Sequence, residues 1–141
     1  MTISTPTLLR VAAVVALLQF FGHTALFLRA KPTHGDAEVA VVTAMRAHRF
    51  SFGGSLRSYW DMYFGYGLEA AFICLVEALL FWLLAAAPPA DIALVRSIAA
   101  LFAVANVAHC VMLVRYFAFP VPMLFDTLIA LGLIAVATVA T

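Results

Sequence analysis

Arg57-Ser-Tyr-Trp-Asp-Met-Tyr-Phe-Gly-Tyr-Gly-Leu-Glu69 carries an arginine, three tyrosines, a tryptophan and two carboxylates into an apolar run that continues to Ala86. The run is long enough to cross a bilayer, so its polar groups enter the hydrocarbon or its edge. An ionisable side chain placed there costs from about 2.5 kcal/mol upward and is turned toward the protein interior and used. The stretch therefore predicts an all-α membrane fold whose second span, residues 59–86, bears the working face.

Composition agrees with that reading. The chain has 141 residues, 66% of them hydrophobic and only 11% charged, with a mean hydropathy of +1.09. A soluble domain has about 45–50% apolar and about 25% charged residues, so the soluble class is excluded. A formal charge of +1 gives no basic excess and no nucleic-acid footprint. Cys74 and Cys110 lie in apolar runs without CxxC spacing and read as packing residues.

Working outward, residues 7–28 form the first span, and at 1.5 Å per residue it covers about 33 Å. It is too long for a signal peptide and lacks a small-residue cleavage site. Spans three and four cover 92–117 and 123–141, separated by the Phe119-Pro120-Val121-Pro122 turn. The expected architecture is a four-helix transmembrane bundle in a single domain. Its one long connection contains Asp36 and Glu38 followed by Arg46 and Arg49, which suits the dipole of a short amphipathic helix over 37–49. Val39, Val42, Met45 and Phe50 make one apolar stripe on that helix. Arg29, Lys31, Arg46, Arg49, Arg57 and Arg115 fall on the side of the long loop, against Arg10 and Arg96 on the other. The positive-inside rule then puts the loop in the cytoplasm and the termini outside.

Because successive spans alternate in direction, His23, Asp61, Glu69, Asn106, His109 and Asp126 all fall in the half of the membrane nearest the long loop. By helical rise, Glu69, Asn106 and His109 lie about 12–17 Å below that surface. Tyr66 with Glu69, and Asn106 with His109, are three residues apart and can share a face. Gln19 and His23 likewise share a face of the first span. Glu77 falls past the midplane, suited to a different contact or a homodimer interface. Plainer readings stand beside these. Trp60, Tyr59 and Arg57 suit an interfacial belt, Asp61 suits an ion pair with Arg57, and Asp126 one with Arg115. His23 and His109 can each bond a neighbouring helix, and Gly65 and Gly67 permit close helix approach.

The motif from Arg57 to Gly67, with Gly22-His23-Thr24 before it and the Phe-Pro-Val-Pro turn after it, resembles a family of small four-span bacterial membrane proteins without an assigned activity. The resemblance covers most of the chain and implies a bacterial inner-membrane location. Glu69 departs from it, standing where the family commonly has an apolar residue. The plan of four spans with carboxylates, Asn, His and Trp in one chamber is also similar in architecture to the sterol isomerase and sigma-two receptor group, and to integral membrane terpene cyclases.

A carboxylic acid in a dry cavity can protonate carbon or oxygen, and an imidazole or second carboxylate can take the proton back. The expectation is acid–base work on a lipophilic isoprenoid, sterol or polyketide-like substrate: isomerisation, cyclisation or epoxide opening, with no cofactor. Glu69 is then the general acid or base, and His109 and Asp61 are relay or second base. Asn106 and Tyr63 orient the substrate, Trp60 lines the entrance, and Tyr66, His23, Asp126 and Arg57 complete the binding surface. Three other classes stay open: a b-type haem held by His23 and His109, an ion path, and a non-catalytic lipid-binding or accessory subunit.

Overall fold

The computed structural model describes residues 3–29, 31–118 and 120–138. Phe119, which belongs to the expected turn, and the last three residues of the expected fourth span lie outside them. Among the described residues, four helices are long and apolar enough to cross a membrane: α1 (Thr5–Arg29), α3 (Tyr59–Leu84), α4 (Ile92–Tyr116) and α5 (Pro120–Thr138). Between α1 and α3 lie a short helix α2 (Asp36–Ala47) and a hairpin of β1 (Arg49–Phe52) and β2 (Ser55–Ser58). The chain is a multi-pass membrane protein of the all-α class.

It divides into two compact units. The first comprises residues 1–20 and 74–141. In it, the N-terminal half of α1, the end of α3, and α4 and α5 form a four-helix bundle. Its core takes Leu9, Ala12, Ala13 and Ala16 from α1, Ala78, Phe81 and Ala85 from α3, Val95, Ala99 and Ala103 from α4, and Ile129, Leu133 and Val136 from α5. The spacing of three and four is that of one helix face. Apolar residues surround every helix, and Leu18, Leu79, Leu101 and Leu131 are each more than half exposed. In lipid this outer apolar surface gives no drive to associate, so helix contact rests on van der Waals packing, which alanine permits by letting backbones approach.

The joints are short. After α3, Pro88 is extended and Pro89–Asp91 form one 3-10 turn into α4. At the end of α4, Ala118 adopts a left-handed φ of 48°, and its N–H donates to the Leu113 carbonyl at 2.8 Å, a helix-closing turn. The fourth span starts three residues earlier than the sequence suggests, because Pro120 and Pro122 occupy the first turn of α5 rather than ending a loop. Proline is tolerated there because that turn has no intrahelical acceptor for its N–H.

The second unit comprises residues 21–73. The sequence reading has a helix over 37–49 carrying Phe50 on its stripe; instead α2 stops at Ala47 and Phe50 lies in β1. The reason is Gly53-Gly54, with φ of 55° and 78°, the two positive values that a tight two-residue hairpin turn demands. Phe52 pairs with Ser55 and Arg49 with Ser58 across it. At the start of α2, Gly35 offers no side-chain cap. The Glu38 carboxylate substitutes, accepting the backbone N–H of Thr33 at 2.6 Å and of His34 at 2.7 Å.

These bonds, the His34 N–H first among them, hold the Glu38 pKa below its ordinary 4.5. A depressed folded-state pKa means that the stabilisation is complete above the unfolded value and lost as pH falls through the folded one. Amide chemical shifts of Thr33 and His34 will therefore hold steady down to about pH 4.5 and move below it; Glu38→Gln will abolish the transition. In the first unit, Ala99 is fully buried in the four-helix core. Ala99→Leu is expected to destabilise the bundle by about 1–3 kcal/mol in a detergent unfolding titration.

Candidate functional site

The inward stripe of α4 continues from Val95, Ala99 and Ala103 to Asn106, and that of α5 runs from Asp126 through Ile129, Ala130 and Leu133 to Val136. On α1 the stripe that begins at Leu9 ends at the buried Gln19. On α3, Glu77 stands beside the buried Ala78 and four residues before the buried Phe81. Helical periodicity thus delivers one polar group from each helix of the first unit to a common layer, with His109 three residues beyond Asn106.

Asp126 is its centre, with a side chain only 2% exposed. Gln19 Nε2 donates to its Oδ1 at 2.9 Å. His109 Nδ1 stands 2.8 Å from Oδ2, yet Oδ2 has no aligned hydrogen bond among the described residues. The His109 contact is a close ion-pair approach. Glu77 interacts with both members of this pair and with the Asn106 side chain. The Asn106 amide donates to the Phe102 carbonyl at 3.0 Å. The Cys74 thiol shares the field of Glu77 and Asp126. Cys110 Sγ lies 3.6 Å from Thr127 Oγ1 and 3.7 Å from the Met123 carbonyl.

This arrangement sets an imidazole against one carboxylate and leaves the His109 side chain 45% exposed while Asp126 is sealed behind it. A carboxylate set against Nδ1 selects the tautomer with the proton on that nitrogen, which frees Nε2 to accept or donate. Among the described residues, no group of three His, Cys, Asp or Glu side chains is placed to hold a metal ion.

Of the residues singled out in the sequence, Asn106, His109 and Asp126 are brought together. Glu69 is corrected: it is exposed and makes no hydrogen bond or ion pair among the described residues. Nine residues separate it from the inward-facing Ala78, about 180° round the helix, so helix geometry turns it outward. The carboxylate of the layer is Glu77, which the sequence reading assigned elsewhere. Asp126 pairs with His109 and Gln19 rather than with Arg115, whose guanidinium lies 5.4 Å from the Tyr116 ring.

Asp61 is likewise reassigned. Its carboxylate accepts the Ser58 N–H at 2.8 Å while its own N–H donates to Ser58 Oγ at 3.1 Å. This is a reciprocal capping box that starts α3, and Ser58-Tyr-Trp-Asp61 was its legible signal. Arg57 is exposed and its Nη1 donates to the Leu56 carbonyl rather than to Asp61.

The aromatic candidates of the second unit form a stack. His23 Nε2 donates to the Gly67 carbonyl at 3.0 Å and its ring stacks on Phe27. Phe27 meets Tyr63 and Phe64, Trp60 meets the same two rings, and the Arg46 guanidinium sits 4.4 Å over Trp60. A Cβ at Gly67 would collide with the Phe27 ring, whereas Gly65 has open space. The close approach expected of the glycines is thus required at Gly67 alone. Tyr66 is 65% exposed.

No known protein family, curated protein or solved structure matches the chain. The geometry of Asp126 yields a direct expectation. Gln19→Leu strands a buried carboxylate oxygen, a loss of about 1–3 kcal/mol. A detergent unfolding titration of that variant checks it.

Proposed function

We propose that this protein is a membrane-embedded acid–base enzyme in which His109 exchanges a proton with a lipophilic substrate presented from the bilayer. The observation that carries the reading is the His109–Asp126 pair at 2.8 Å, within helices long enough to span a membrane and backed by the second carboxylate Glu77. Asp126 acts as a positioning residue, held by Gln19, and stabilises the imidazolium formed when Nε2 takes a proton. Glu77 is the second proton store, and Asn106 fixes its orientation. The substrate class is an isoprenoid, sterol or polyketide-like molecule with a double bond or carbonyl. In an isomerisation, Nε2 removes a proton from carbon beside the double bond and returns it at the far end of the shifted system, so atoms and charge balance without a cofactor.

Lateral supply from lipid suits a half-exposed imidazole flanked on its face of α4 by exposed Ala105 and Met112. With the basic residues concentrated in the long connection, the proposed orientation has that connection in the cytoplasm of a bacterial cell and the termini outside.

The test uses membranes containing the full chain, incubated in D2O and analysed by mass spectrometry of extracted lipophiles. Wild type is expected to place deuterium on carbon in one species. His109→Ala will slow labelling about 10²–10⁴-fold, Asp126→Asn will slow it with an altered pH profile, and Glu69→Gln will leave it unchanged. Labelling equal in wild type and His109→Ala would remove the reading.

A further inference from the structure

At the end of the first unit opposite the polar layer, about 20 Å along α1 by helical rise, there is a cavity of about 330 Å³. Its walls are mostly apolar, formed by Pro6, Leu84, Ala87, Ile92 and Val95, and its one charged lining residue is Arg96. Arg96 Nε is fully buried and has no hydrogen-bond partner among the described residues. Among the described residues the lining contains no carboxylate to pair with the guanidinium. Both α1 and α4 begin here, so two helix dipoles add positive potential to that of Arg96. Three spans also start or end at this level, the depth at which lipid phosphates lie.

We infer that this cavity binds the headgroup end of an anionic phospholipid, independently of the proton chemistry at His109. Its phosphate accepts from the outer N–H groups of the Arg96 guanidinium, a pairing favoured by guanidinium geometry. The glycerol and upper acyl carbons rest against Leu84, Ile92 and Val95. The volume is near the lower limit for a small-molecule site, about 300 Å³, and admits a headgroup rather than whole acyl chains.

Native mass spectrometry of the full chain released from detergent tests this, with phosphatidylglycerol, phosphatidylcholine, oleate and inorganic phosphate as separate probes. Phosphatidylglycerol is expected to bind at least about tenfold more tightly than phosphatidylcholine. Arg96→Gln will remove that preference, and Arg96→Lys will retain part of it. Ala87→Trp fills the cavity while leaving the guanidinium in place, so it will also abolish binding and decides the matter if Arg96→Gln fails to fold. Arg10→Gln, on the exposed side of α1, will bind as wild type does. Undiminished phosphatidylglycerol binding in Ala87→Trp overturns the assignment, as does Arg96-dependent binding of oleate or phosphate without phosphatidylglycerol.

Discussion

A carboxylate sealed to 2% exposure inside a bundle of membrane-length helices has no water to turn to, and the first unit is arranged to answer that. Asp126 draws a donor from α1 through Gln19 and an imidazole from α4 through His109, so three helices are tied at one level by a single side chain. Breaking a buried pair by removing one partner costs about 3–5 kcal/mol, far more than the pair contributes over an apolar substitute.

Packing alone brings the helices together and leaves their rotation free. The outer surfaces are as apolar as the core, so alanine does the discriminating: Ala71, Ala78 and Ala85 on α3 recur every seven residues and are all buried. Ala99 and Ala103, four residues apart on α4, are buried as well. Once those stripes face inward, Glu77 and Asn106 follow, and the polar layer is a consequence of helix rotation. In the second unit a different economy applies. Aromatic rings and the glycine at 67 fill the space between the helix segments, and His23 is engaged by a backbone carbonyl.

The four spans were legible because their length and apolar content leave little choice in a bilayer, and the short helix was legible from its terminal charges. Asn106, His109 and Asp126 were found by depth, which depends only on rise per residue. Glu77 was missed because depth says nothing of rotation, and a helix apolar on all sides lacks the stripe that fixes rotation in soluble proteins. The heptad of alanines was the available substitute signal, and it places Glu69 outside. Two short local motifs also carry a signal: Gly53-Gly54 between alternating residues marks a hairpin, and Ser58 three residues before Asp61 marks a capping box.

The central claim is that Asp126 orients the His109 imidazole through Nδ1, and nitrogen-15 NMR of histidine-labelled protein in lipid nanodiscs reads it directly. The account predicts that His109 carries its proton on Nδ1 in the neutral form and that Asp126→Asn shifts both ring nitrogens while His23 stays as it was. A His109 spectrum indifferent to that substitution would contradict it.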